Sequence, residues 1–394
     1  MGPGSRSLRP LGRDDSFLRS GRRIVEMQRT KPPFRADHVG SLLRTAALKE
    51  ARAKREKNEI SDAELKAVED REVDAIIRKQ EEVGLKSITD GEFRRASWNY
   101  DFLGKLPGVE AYIGERQIKF QGKQPKSILL RVIGKLGSFS THPMIEHFKY
   151  VKSHTKQTAK MTIPSPSSLH FRYGRSAVPE SIYPDMAEFY NDLGQTYRKA
   201  VRAFADAGCR YIQLDEVNFT YLCDPKLRQQ VTERGDDPDR MPHDYARMLN
   251  AAISDVPADM TTAMHLCRGN FQSTFVASGG YEPVAEILFN EINIQAYFME
   301  YDTDRAGGFE PLRFVPKGKS VVLGLVTSKS GTLESKDELK RRIDEATKFI
   351  PLDQLCLSPQ CGFASTEEGN ILAEEEQWAK LRMIVELSEE VWGK

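Results

Sequence analysis

Residues 184–217, PDMAEFYNDLGQTYRKAVRAFADAGCRYIQLDEV, carry the motif that decides the fold. Apolar side chains recur every three or four positions as far as Phe204, the spacing of an amphipathic helix. Gly208 then ends the pattern, as a helix C-terminus requires. The run 210–215 (RYIQLD) is short, apolar on both faces, and closes on a carboxylate. A strand reads this way when helices cover both sides of a parallel sheet.

Working outward, the same kind of run recurs at 35–41 (RADHVGS), 86–90 (KSITD) and 158–163 (TAKMTI) on one side. On the other side lie 260–265 (MTTAMH), 292–299, 320–326 (SVVLGLV) and 354–358 (QLCLS). Helical patterns fill the intervals. One is capped by Asp62 and closes at Gly84, and another runs from Ser335 to Phe349. Two stretches break the alternation: 104–157 reads as a strand-rich insertion, and 218–258 as a long polar excursion with a helix near its end. Eight β/α units predict an α/β fold, a (β/α)8 TIM barrel with insertions after strands 2 and 4. A doubly wound sheet is the alternative, but no G-x-G-x-x-G follows any of the strands.

Composition narrows the function classes. The 394 residues carry 58 basic and 57 acidic side chains, so no global field draws the chain to nucleic acid or to a membrane surface. No apolar stretch approaches the length of a bilayer span. The five cysteines, Cys209, Cys223, Cys267, Cys356 and Cys361, are too few for a disulfide framework. They suit a reducing cytoplasm with thiols free for metal or catalysis. Residues 1–30 differ from the rest: Arg-rich, yet with Asp14, Asp15 and Glu26, which a transit peptide avoids. The expectation is a disordered extension, with Met27 a candidate start, followed by one zinc-binding catalytic domain over 34–394.

In a parallel barrel, chemistry collects at the C-terminal ends of the strands. Those ends present Ser41, Glu92, Ser165, Asp215, His265 with Cys267, Glu300, Lys329 and Cys361. Alternate residues of a strand face the same way, so His265 and Cys267 can meet one ion. With Glu300 and Cys361 they form a His/Cys/Glu/Cys set suited to tetrahedral zinc. The remaining cysteines read as packing residues. Glu92 and Asp215, after the second and fourth strands, suit an ammonium group. Ser41, behind a glycine, can offer a hydroxyl and an N–H to a carboxylate. Two acids and a small anion hole describe an amino-acid pocket.

The stretches PFRADHVGSLLR, ITDGEFRRASWNYDFL, YIQLDEVNF, HLCRGNFQ and SPQCGFAS resemble, in this order, the C-terminal catalytic barrel of cobalamin-independent methionine synthase. The resemblance is closer to short, single-barrel relatives of that enzyme and runs over 34–394. It implies zinc on His265, Cys267, Glu300 and Cys361, and homocysteine held by Ser41, Glu92 and Asp215. It implies methyl transfer to the homocysteine thiol, giving methionine. On the donor side the chain departs from the family. Lys329 stands where the family has a histidine near the leaving donor, and TIPSPSSLHF lacks a tryptophan expected to stack on folate. The donor is therefore left open between a methylated corrinoid and methyltetrahydrofolate. The zinc motif alone would also suit an epoxide–thiol transferase of the epoxyalkane–coenzyme M type, or a non-catalytic zinc barrel.

Overall fold

A computed structural model describes residue 27, residues 29–114 and residues 119–393. Of the extension expected over 1–30, residues 1–26 and 28 lie outside the described residues, whereas Met27 and Arg29 pack on the domain. Ten strands are present among the described residues: β1 (Ser87–Ile88), β2 (Val109–Ile113), β3 (Ile128–Val132), β4 (Thr158–Ala159), β5 (Met161–Pro164), β6 (Tyr211–Glu216), β7 (Thr261–Leu266), β8 (Ala296–Glu300), β9 (Ser320–Val326) and β10 (Leu355–Pro359). Strands β5 to β10 pair side by side, each parallel to the next. β1 pairs in parallel with β4, which is continuous with β5 but for Lys160. At the far edge a parallel bridge joins Ala36 to Leu357 of β10. This is an α/β fold on a parallel sheet, consistent with a TIM barrel.

The expected strands match this sheet to within a few residues, with two differences. Segment 35–41 makes a single bridge instead of a ladder, because its next side chain, Asp37, turns into a polar network. The run expected from 292 forms its strand from Ala296; Gln295 just before it already bonds both neighbours, its N–H donating to the Thr262 carbonyl, its carbonyl accepting from the Ser320 N–H and its side chain accepting from the Thr262 N–H.

Helix ends obey local chemistry. The helix Asp62–Glu82 is capped by Ser61, not Asp62. Ser61 Oγ accepts from the Glu64 N–H while Glu64 accepts from the Ser61 N–H, a reciprocal capping box. Asp185 and Ser335 cap Met186–Asp206 and Lys336–Ala346 in the simpler way. The 104–157 stretch contains the β2–β3 antiparallel hairpin and the helix Pro143–His154. The 218–258 stretch is not a polar excursion. Three helices, Asn218–Tyr221, Pro225–Glu233 and Met241–Ala252, bury Phe219, Leu227, Val231, Tyr245 and Leu249. Its apolar residues sit at helical intervals, diluted by charges on the outer face.

Two apolar cores follow from the period-two geometry of the strands. The larger fills the space between sheet and helices. The smaller, Val39, Tyr211, Ala263, Ala296, Phe298, Val322 and Cys356, is the inner face of the sheet. Within it the Lys160 ammonium, fully buried, lies 3.3 Å from Asp37 Oδ1 and over the rings of Tyr211 and Phe298. Asp37 accepts further hydrogen bonds from Ser87 Oγ (2.7 Å) and Tyr211 Oη (2.8 Å). The inner parity of each strand now predicts what stands at its tip.

Candidate metal centre and thiol pocket

Counting on by twos from the inner residues Tyr211, Ala263 and Phe298 leads to Asp215, His265, Cys267 and Glu300. All four are buried at the C-terminal ends of β6, β7 and β8. Cys361 arrives two residues after β10, beyond a register shift at Ser358/Pro359. Such an irregularity re-aims the chain where a strand ends. It brings both Gln360 and Cys361 to the site.

One ligand atom each from His265, Cys267 and Cys361 lies within 4.8 Å of the others, and the two sulfurs are 3.4 Å apart. Tetrahedral zinc with bonds of about 2.0–2.3 Å would set neighbouring donors roughly 3.3–3.8 Å apart. His265 Nε2 is buried with no hydrogen-bond partner, whereas Nδ1 lies 3.5 Å from Asp215 Oδ1. A carboxylate behind one ring nitrogen orients an imidazole whose other nitrogen binds metal. The residues fit a zinc ion.

The electrostatics of the bare site agree. Burial alone would lower the His265 imidazole, but Cys361 and Asp215 beside it win and raise it to about 10. The hydrogen bond from Cys267, aided by His265, holds the Cys361 thiol well below its usual range against burial. The same contact and burial push Cys267 well above it. The group stores anionic sulfur that a cation can claim.

Glu300 is not within that group. Its Oε2 accepts from the Arg268 N–H (3.1 Å) and Gln360 Nε2 (2.9 Å), and its other oxygen pairs with Arg305. Burial would raise this carboxyl, yet Lys329, Arg268 and Arg305 outweigh it and hold it near 2. Lys329 itself does not line the pocket; its Nζ is buried without a hydrogen-bond partner and acts on Glu300 through charge. Ser165 is spent elsewhere, donating with Ser167 to Glu216.

Above the three ligands opens a pocket lined by Ser41, Glu92 and Asp215. Ser41 packs against Gly362 so closely that a Cβ there would lie 1.9 Å from its Oγ. Only glycine lets the β10 end approach. Glu92 has φ +61°, a left-handed conformation that costs a non-glycine residue free energy. Its Oε1 accepts from Thr162 Oγ1 (3.1 Å) and pairs with Arg95 (3.4 Å); its Oε2 is buried without a partner. Burial, opposed by Arg95 and reinforced by Asp215, raises its carboxyl to about 7. A strained, under-partnered carboxylate facing a pocket suits a cationic ligand.

A model of the cobalamin-independent synthase catalytic domain matches residues 34–390. The chain belongs to that family. Among cobalamin-independent synthase relatives, YxjH and YxjG of Bacillus subtilis, both uncharacterized, are 49% and 50% identical over 93% of this chain and 97% of their own length. The 5-methyltetrahydropteroyltriglutamate–homocysteine methyltransferase of Bacillus licheniformis is 25% identical over 90% of this chain, which spans 42% of that enzyme. A Listeria monocytogenes structure, provisionally described as a vitamin-B12 independent methionine synthase, superposes with TM-score 0.75 at 42% identity. It covers 93% of this chain and all of its own. A B12-independent methionine synthase from Shewanella, 20% identical with TM-score 0.68, shares the fold. It covers 91% of this chain and 97% of its own.

For this synthase-family chain, sequence reasoning missed Trp98, Phe120 and Arg172, which wall the pocket. TIPSPSSLHF has no tryptophan, but Trp98 in ASWNY, six residues after Glu92, lines the pocket. Its proximity to a strand tip was the signal available.

Proposed function

We propose that the protein is a zinc-dependent S-methyltransferase that transfers a methyl group to the thiol of homocysteine, giving methionine. The observation that carries this reading is the His265–Cys267–Cys361 group at the floor of a pocket that also exposes an under-partnered carboxylate, Glu92. The same reading takes the frame as a closed (β/α)8 barrel elaborated after its second and fourth strands, working in a reducing cytoplasm where all five cysteines stay free.

His265, Cys267 and Cys361 would hold the zinc, and the ion would keep an acceptor thiol in its nucleophilic thiolate form at neutral pH. Three protein ligands leave a fourth position open, the pattern of catalytic rather than structural zinc. Glu300, at the neighbouring strand end, would take that position in the absence of a thiol, giving up contacts of its carboxylate with Arg268, Gln360 and Arg305. Asp215 fixes the His265 ring. Glu92 accepts the substrate ammonium, and Ser41 meets the carboxylate. The two together turn the sulfur downward. Lys329, buried outside the pocket, supplies positive charge beside Glu300; a departing folate carrier would take its proton from water in the pocket, and a corrinoid carrier would leave without one. Alignment of acceptor and donor in one pocket supplies much of the rate.

Cobalt-substituted protein titrated with homocysteine tests this. A new thiolate-to-cobalt absorption band at saturating homocysteine is the expected result, with weaker binding in Glu92→Gln by about 1.5–3 kcal/mol. Absence of the band would overturn the thiol assignment.

A further inference from the structure

Asp302 stands two residues beyond Glu300 and does not line the pocket. Its side chain is 1% exposed, yet neither carboxylate oxygen has a hydrogen-bond partner among the described residues. The Thr327 side chain and the Lys329 ammonium stand near it. Its ion-pair partner is Arg305, whose Nη2 lies 3.8 Å from Asp302 Oδ1. A carboxylate taken out of water and left short of donors is costly. Packing alone gives no return for that cost, since a neutral side chain would fill the same space.

The same nitrogen, Arg305 Nη2, donates to Glu300 Oε1. One guanidinium thus faces two buried carboxylates, bonded to the first and just short of the second. Other contacts hold it in place. It lies 4.1 Å from the centroid of the Phe275 ring, and the Arg305 carbonyl accepts from the Gly279 N–H (3.0 Å). When Glu300 turns to the metal, this guanidinium stays behind, and a buried charge that loses its partner is strongly destabilising. Asp302 is already beside it. A shift of about 1 Å closes the gap to a charge-assisted hydrogen bond.

We propose that Asp302 is a positioning residue of the metal centre: it takes over Arg305 when Glu300 leaves, and so sets how strongly Glu300 competes with a thiol for the fourth position. This rests on the reading that Glu300 fills that position in the absence of a thiol. Asp302 acts through Arg305 and not by touching metal or substrate. Linkage gives the signs. Without the Asp302 charge, the thiol-free protein holds zinc less firmly. Because the state that a thiol displaces is then weaker, the zinc-loaded protein binds the thiol more tightly.

Competition with a chromophoric zinc chelator tests this on the full chain without thiol. Asp302→Asn, which keeps the shape and removes the charge, is expected to bind zinc about tenfold more weakly than the parent. In an Arg305→Gln background the same substitution is expected to change zinc affinity by less than about twofold. Unchanged affinity in Asp302→Asn, or a loss that persists in the Arg305→Gln background, would overturn the proposal. Glu300→Gln examines the premise separately. Zinc held there as in the parent would remove Glu300 from the metal, and the proposal with it. Zinc held more weakly there, beside an unchanged Asp302→Asn, would overturn the role of Asp302 alone. A second arm adds homocysteine. Where the parent's cobalt spectrum gains a thiolate band, Asp302→Asn is expected to bind homocysteine about tenfold more tightly, and equal or weaker binding would overturn the proposal. A parent that gains no band fails the thiol reading, and the thiol-free arm then decides on Asp302 by itself.

Discussion

Replacing the sulfur of Cys361 by oxygen removes one of three donors gathered within 4.8 Å, and truncating His265 removes another. Cys361→Ser and His265→Ala are expected to fall well below one zinc per chain while keeping the melting curve of the metal-free parent. Metal analysis and calorimetry check this; wholesale unfolding would mark the group as a structural staple. Glu92 makes a prediction of opposite sign for stability. Its folded carboxyl titrates near 7 against an ordinary value of 4.5, so between those pH values the folded chain holds a proton that the unfolded chain has released. Its contribution is therefore most favourable below about pH 4.5 and is lost as pH rises towards 7. Glu92→Gln should raise the melting temperature, by a margin that grows over that window and is constant above it. A gain independent of pH would show that burial is not what shifts Glu92.

At the scale of elements, the buried pair between Asp37 and Lys160 ties the first segment to the strand formed by β4 and β5. Removing one partner strands a charge in the inner core. Asp37→Asn should cost about 3–5 kcal/mol in denaturant unfolding, with much of it restored by adding Lys160→Met. Most of these elements could be read from the sequence, because parallel strands covered on both faces spell short apolar runs. The first did not form a ladder since its decisive residue, Asp37, is polar inside the sheet, a choice no periodicity announces. Site residues on strands, His265, Cys267, Asp215 and Glu300, were legible from parity alone. Cys361 needed the register shift in β10, and the distances that separate Glu300 from the three-ligand group needed coordinates. Trp98, Phe120 and Arg172 meet from three separate loops, and nothing in their local sequence brings them together.

Across the whole molecule, the described chain begins to pack at Met27 and Arg29. Met27 rests against the outer core and its carbonyl accepts from Arg35 Nε (2.6 Å). Arg29 donates to Ser320 Oγ at 2.7 Å, where β9 begins, opposite the pocket. Arg29→Ala is expected to cost about 1 kcal/mol, whereas deletion of residues 1–26 should leave the melting temperature and zinc content unchanged. No described helix is long and apolar enough to cross a membrane. The division into two cores has a further consequence. The seven inner side chains contact the larger core only through the backbone of the strands that carry them. A lineage could therefore exchange the polar groups at the tips of β6, β7 and β8, Asp215, His265 and Glu300, without renegotiating how the helices sit on the sheet, whereas Cys267 and Cys361 pack in the larger core. Heritable change in chemistry and heritable change in architecture are, in this molecule, written on alternate residues.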